Sequence, residues 1–161
     1  MFRPAPIPLP TEAATSALAA RLAPRLGGGD CLLLEGPIGA GKTFFARALI
    51  RARLGDPLAE VPSPTFTLVQ VYETPDLELW HADLYRLSDP SELDELGLVE
   101  AMDAALSLVE WPQKLGALLP ETALTLSLHP SPEAGTGADA PRMLQISGAD
   151  SWRARLEPIL D

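Results

Sequence analysis

Apolar positions recur along this chain with two different periods. Ala14, Leu18, Leu22 and Leu26 stand four apart, the spacing of one helical face, and Thr11 offers an oxygen to cap the first turn. Pro24 predicts a kinked or shortened last turn, and Gly27-Gly28-Gly29 predicts its end. Cys31–Glu35 is a short apolar run, the pattern of a buried strand. A glycine-rich stretch follows, then a helical pattern over 42–54 stopped by Gly55. Residues 67–73 and 77–83 alternate with period two. Thr74-Pro75-Asp76 joins them, which predicts an antiparallel hairpin. Asp89 reads as a cap, with Pro90 at the first helical position and Gly97 past the end. A second buried strand is predicted over 106–110, a half-buried one around Leu124, Leu126 and Leu128, and another over 143–147. Asp150 or Ser151 starts a closing helix carrying Trp152, Leu156, Ile159 and Leu160. Between the last two strands, residues 130–141 are rich in Pro, Gly, Ala and Ser and read as a flexible surface loop.

Helices alternating with strands around a glycine loop predict an α/β fold of three layers. Its mixed sheet would have a parallel core and antiparallel edge strands. The 161 residues fit one domain, and 47% hydrophobic content is globular rather than disordered. No internal repeat is evident. The formal charge of −10, with Lys42 and Lys114 the only lysines, argues against autonomous nucleic-acid binding, which needs clustered cations. Arg47, Arg51 and Arg53 read as a solvated helix face. No apolar run approaches the roughly 20 residues that span a bilayer, residues 1–10 do not read as a signal peptide, and one cysteine, Cys31, suits a reducing compartment. These features predict a cytoplasmic protein with no membrane partner.

The chemistry is carried by Gly36-Pro37-Ile38-Gly39-Ala40-Gly41-Lys42-Thr43, a full match to G-x-x-x-x-G-K-[ST] between a buried strand and a helix. Gly36, Gly39 and Gly41 let the backbone curl, so that amides from Gly39 and Ala40 through Phe44 face phosphate oxygens. The helix that follows presents its positive end to the same anion. Lys42 can bridge β- and γ-phosphates, and Thr43 can give its hydroxyl to Mg²⁺. The expectation is a P-loop NTPase fold that takes ATP and Mg²⁺. A dinucleotide fingerprint is excluded, because Phe44 stands where its third glycine would be. Mg²⁺ needs an acid at a strand end, and Asp83 and Glu110 both have that placement. Ser63-Pro64-Thr65-Phe66-Thr67 could bring hydroxyls to the γ-phosphate as a switch segment does, or be an ordinary connection. His81 and His129 have no metal-ligand spacing and read as structural or surface residues.

Several phrases occur together in order: the loop 36–43, Ser63-Pro64-Thr65-Phe66-Thr67-Leu68-Val69, His81-Ala82-Asp83-Leu84-Tyr85-Arg86-Leu87, Asp89-Pro90-Ser91-Glu92-Leu93 and Val109-Glu110-Trp111-Pro112-Gln113. Over roughly residues 5–130 this closely resembles the bacterial TsaE (YjeE) family, ATPases of tRNA threonylcarbamoyladenosine biosynthesis. The resemblance implies a subunit that works with the TsaD and TsaB proteins, which attach a threonylcarbamoyl group to N6 of adenosine 37. The tRNA would be met only through those partners, and ATP hydrolysis would support their turnover. It also implies that Glu110 is the Mg²⁺-associated acid and Asp83 the strand-end acid needed for hydrolysis. Thr65 and Thr67 would lie in the switch-like segment, and Thr11 and Glu12 near adenine. One departure is Pro37, where relatives commonly carry an acid. Three other readings are a small-molecule kinase using Arg86 or Arg142, a GTP-driven switch, and a nucleotide-dependent scaffold with negligible turnover. The switch is disfavoured because the chain has no Asn and Lys114 is followed by Leu-Gly.

Overall fold

The alternation predicted from the sequence resolves, in a computed structural model that describes residues 1–132 and 140–160, into strands and helices in a mixed order. The strands are β1 Ile7–Leu9, β2 Cys31–Glu35, β3 Val69–Glu73, β4 Glu78–Asp83, β5 Leu106–Glu110, β6 Leu124–Pro130 and β7 Arg142–Ser147. The helices are α1 Glu12–Leu22, α2 Lys42–Leu54, α3 Ser91–Leu96, α4 Leu98–Ala104 and α5 Arg153–Leu160, with short 3₁₀ turns among them. The described strands form one sheet in the order β1-β7-β6-β2-β5-β4-β3. Strands β6, β2, β5 and β4 run parallel at the centre. Antiparallel pairs close both edges, β6–β7–β1 on one side and β3–β4 on the other. The predicted α/β fold, with its parallel core and antiparallel edges, is the one observed.

The run Cys31–Glu35 is apolar because helices cover both faces of β2. Leu32 and Leu34 join a core built with Phe45, Leu49 and Ile50 of α2 and Leu18 and Leu22 of α1. Cys31 and Leu33 face the other way, into a second core with Leu93, Leu98, Met102 and Leu115. A fully buried leucine contributes about 1.5–3 kcal/mol, so a central strand with no solvated face is strongly held in register. The strands that carry the glycine loop and the two acids are these central ones.

Some local expectations differ from the structure. Strand β1 has no counterpart among the sequence expectations, because three residues flanked by prolines give no period to detect. Helix α1 stops at Leu22 and gives way to a 3₁₀ turn at Ala23–Arg25, as Pro24 predicts. Thr11 is its cap, its Oγ1 accepting from the Ala14 amide at 3.1 Å. Strand β3 starts at Val69 rather than 67, since Leu68 sits at φ 67° in a turn whose amide donates to the Pro64 carbonyl. Pro90 precedes α3 rather than opening it, and Gly97 ends α3 but also begins α4, a helix too short to show a period. The closing helix starts at Arg153 after a 3₁₀ turn at Asp150–Trp152. Of the loop expected over 130–141, residues 133–139 lie outside the described residues.

The chain start is fastened to the same body. Phe2 is buried and pairs with Gly148, the Arg153 guanidinium lies 5.3 Å from its ring, and the Met1 ammonium meets Asp150 at 3.0 Å.

Candidate functional site

The glycine loop leaves β2 at the C-terminal ends of the parallel strands, where open α/β sheets place their clefts. Gly36 has φ 141°, and a Cβ on it would lie 2.2 Å from the Leu128 carbonyl oxygen of β6. No side chain fits there. Gly41 caps α2 from the left-handed region at φ 100°, and no side chain caps that helix start. The first amides of α2 have no intrahelical acceptor, so they are available to an anion.

Around this loop lies a cleft of about 400 Å³. Gly39, Ala40, Gly41, Lys42, Thr43 and Phe44 form its floor. Thr65, Asp83, Glu110, Tyr85 and Trp111 line one end, and Thr11, Glu12, Leu128 and Arg142 the other. Thr11, Glu12, Thr65, Asp83, Glu110 and the loop residues from Gly39 on line the cleft as expected, whereas Gly36 sits beneath it against β6 and Thr67 lies outside it.

Lys42 is buried and already ordered. Its Nζ donates to the Gly36 carbonyl and, at 3.0 Å, to the Pro37 carbonyl, and it stands 4.0 Å from the centre of the Trp111 ring. Burial lowers its pKa from the ordinary value, while the charges of Glu110 and Asp83 act in the opposite direction.

The two acids are neighbours because β4 and β5 are parallel and Asp83 pairs with Glu110 in their register. Both are buried, Glu110 to 1% exposure. Glu110 uses both oxygens: Oε1 accepts from Thr43 Oγ1 at 2.7 Å, and Oε2 lies 2.7 Å from His81 Nε2. Asp83 Oδ1 accepts from the Tyr85 amide at 3.1 Å, and Oδ2 accepts from Thr65 Oγ1 at 3.3 Å. Ser63 Oγ in turn lies 2.7 Å from Thr65 Oγ1. The hydroxyl segment is therefore tied to the strand-end acid through Thr65. Thr67 differs from Thr65. Its hydroxyl is outside the cleft and accepts from Gln70 Nε2.

Trp111 sits at φ 58°, an uncommon conformation for a residue with a side chain, and stacks tilted on Tyr85 with ring centres 4.9 Å apart. Three participants were not assigned to this site from sequence: Tyr85 as a wall, Trp111 as the cover over Lys42, and His81 as the partner of Glu110. His81 is fully buried, not on the surface, and spacing rules look for metal-ligand pairs, not a histidine reaching a carboxylate one strand away. His129 is exposed. Arg86 does not line the cleft; it stacks on Phe66 at 4.6 Å. Arg142 does line it, and its Nη2 donates to the Gly39 carbonyl at 3.0 Å.

The donor set suits Mg²⁺ held with phosphate. Thr43 and Glu110 supply hard oxygen donors at hydrogen-bond distance from each other, with Asp83 alongside. Among the described residues no three His, Cys, Asp or Glu converge into a cage. Mg²⁺ on one or two carboxylates plus substrate phosphates requires no such cage.

Comparison with known proteins gives a consistent result. The family model for threonylcarbamoyl adenosine biosynthesis protein TsaE matches residues 9–136. A tRNA threonylcarbamoyladenosine biosynthesis protein TsaE from Rickettsia bellii is 41% identical over 120 residues, covering 74% of this chain and 83% of that protein. One from Mycobacterium tuberculosis is 36% identical over 132 residues, covering 75% of this chain and 76% of that protein. The crystal structure of Bacillus subtilis YdiB superposes with TM-score 0.70 over 98% of this chain and 95% of that one, at 22% identity, a likeness of fold.

Proposed function

Because the chain belongs to the TsaE family of threonylcarbamoyl adenosine biosynthesis proteins, we propose that it binds ATP with Mg²⁺ in this cleft and hydrolyses it in support of tRNA threonylcarbamoylation. The observation that carries the reading is the convergence of the α2 start, Lys42, the Thr43–Glu110 pair and Asp83 on one cleft of nucleotide size.

The amides at the start of α2 receive the β-phosphate, and Lys42 exchanges its carbonyl contacts for phosphate oxygens. Thr43 and Glu110 would hold Mg²⁺, which would supply charge neutralisation to the bound phosphates. Asp83 stands beside that pair and accepts from Thr65, which supports a role in orienting a water toward the γ-phosphate and taking its proton. Glu110 is the weaker base in this reading, because the oxygen that faces Thr43 would be taken up by the metal. Thr11 and Glu12 lie at the far end of the cleft and would face the adenine. The rate enhancement comes from position and fixed charge rather than covalent chemistry. Slow turnover in isolation follows if a partner completes the γ-phosphate end.

The partners in this reading are the TsaD and TsaB proteins, with tRNA met through them, and the setting is the cytoplasm. Among the described residues no helix is long and apolar enough to cross a membrane. The test is phosphate release from ATP with and without TsaB and TsaD, paired with a pull-down of both partners with and without nucleotide. Stimulated phosphate release with nucleotide-dependent retention supports the proposal. A phosphorylated acceptor in place of free phosphate would establish the kinase instead.

A further inference from the structure

We propose that His81 is a positioning residue, one that holds the Glu110 carboxylate so that its free edge points at Thr43 and the metal. The inference rests on the reading above, in which Thr43 and Glu110 serve Mg²⁺.

The strand pattern places the histidine. On β4, Leu79, His81 and Asp83 alternate onto the face that packs toward α2, and Leu79 belongs to that core. On β5, Leu106, Leu108 and Glu110 share the same face. His81 is in register with Leu108, one step before the Asp83–Glu110 pair, so its ring reaches diagonally across to the acid. It is fully buried, and its Nε2 lies 2.7 Å from Glu110 Oε2. An ionised carboxylate oxygen only accepts, so the proton of that bond is on Nε2.

Two observations separate this arrangement from an ordinary core histidine. The first is that Nδ1 is buried with no hydrogen-bond partner among the described residues. Buried ring nitrogens are usually both satisfied, and among the described residues the ring's one hydrogen bond goes to the acid. The second is the division of labour on Glu110. Oε1 faces Thr43, and among the described residues His81 is the one side chain recorded on Oε2. Lys42, the nearby cation, is spent on the carbonyls of Gly36 and Pro37. Ser107 points to the opposite face of β5 and cannot substitute. Without the ring, Oε2 would be buried without a donor, and the flexible glutamate would be free to rotate away from Thr43.

Partners that fix ligating side chains in this way typically account for about 10–100-fold in metal affinity. The test is titration calorimetry of ADP in EDTA and in Mg²⁺, on the wild type, His81→Leu, His81→Asn and His81→Gln. The readout is the Mg²⁺ increment, the ratio of the two dissociation constants. Metal-free affinity is expected to stay within about twofold in all four. The increment should fall about 10–100-fold in His81→Leu. It should fall equally in His81→Asn, whose amide is too short to reach. His81→Gln presents an N–H donor at the reach of Nε2 and should restore the increment to within about threefold. His81→Asn keeps a polar group at the site, so the test stands if His81→Leu fails to fold. A His81→Leu or His81→Asn protein that keeps the full increment overturns the assignment of His81 alone. A wild-type protein with no increment overturns it together with the reading of the site.

Discussion

Replacing Gly36 by alanine separates steric from conformational demands at the base of the loop. The added Cβ would lie 2.2 Å from the Leu128 carbonyl oxygen, where ordinary contact begins at 3.4 Å. Either the loop or β6 must therefore move by more than an ångström. Leu128 is in register with Leu144 of β7, so a shift of its carbonyl strains a paired ladder. Overpacking of this kind costs about 1–3 kcal/mol. Holding an alanine at φ 141° adds about 1–3 kcal/mol of backbone strain. For a chain of this size the total corresponds to a fall in Tm of roughly 5–20 °C. Gly39→Ala is the control. It has φ 81° but nothing within 4 Å of the new Cβ, so only strain of about 1–2 kcal/mol applies. Calorimetric melting of both variants, each followed by titration with a fluorescent ADP analogue, reads stability and loop geometry together. Gly36→Ala should melt well below Gly39→Ala and bind nucleotide far more weakly. If the two melt together, within about 2 °C of wild type, the close approach of the loop to β6 is not a constraint and the reasoning is wrong.

Lys42→Ala should weaken MgADP binding by about 10–100-fold, the loss of a charge-assisted contact pair, and calorimetry at constant salt checks it. Asp83→Asn should retain nucleotide affinity while lowering phosphate release about 10²–10⁴-fold in the presence of partners, and unchanged hydrolysis would remove Asp83 from its role. Burial, then the charge of Asp30, pushes the Cys31 thiol from 9.0 up to about 12. The folded state thus keeps a proton that the unfolded chain gives up above pH 9, so the contribution is full below that pH and is lost as pH rises toward 12. Relative to Cys31→Ala, the wild type should lose about 1 kcal/mol between pH 9 and pH 10, measurable by urea unfolding. Phe2→Ala should cost about 3–5 kcal/mol for a buried aromatic, visible as a lowered urea midpoint with an unchanged slope.

What was legible in the sequence was what repeats or what chemistry demands at fixed spacing. The β2–loop–α2 unit could be read because apolar runs, glycines and the Lys-Thr pair all point to one structure. Asp83 and Glu110 could be chosen as strand-end acids, since each closes an apolar run. Their adjacency could not, because register between strands 27 residues apart is a tertiary fact. For the same reason His81 looked featureless: its partner is supplied by another strand. Trp111 was visible as a residue following an acid, but its left-handed backbone and its place over Lys42 depend on how β5 meets the 3₁₀ turn at Pro112–Leu118. Helix α4 and strand β1 were too short to carry a period.

The register that sets Asp83 against Glu110 has an engineering consequence. The interval between the two carboxylates is fixed by main-chain pairing, so side-chain length alone can tune it, one methylene at a time. Exchanging the two acids, Asp83→Glu with Glu110→Asp, would carry one negative charge farther from the ladder and draw the other closer, leaving the strands as they are. The fold thereby offers a ruled scale on which the distance between metal-side and water-side charge can be adjusted without rebuilding the sheet.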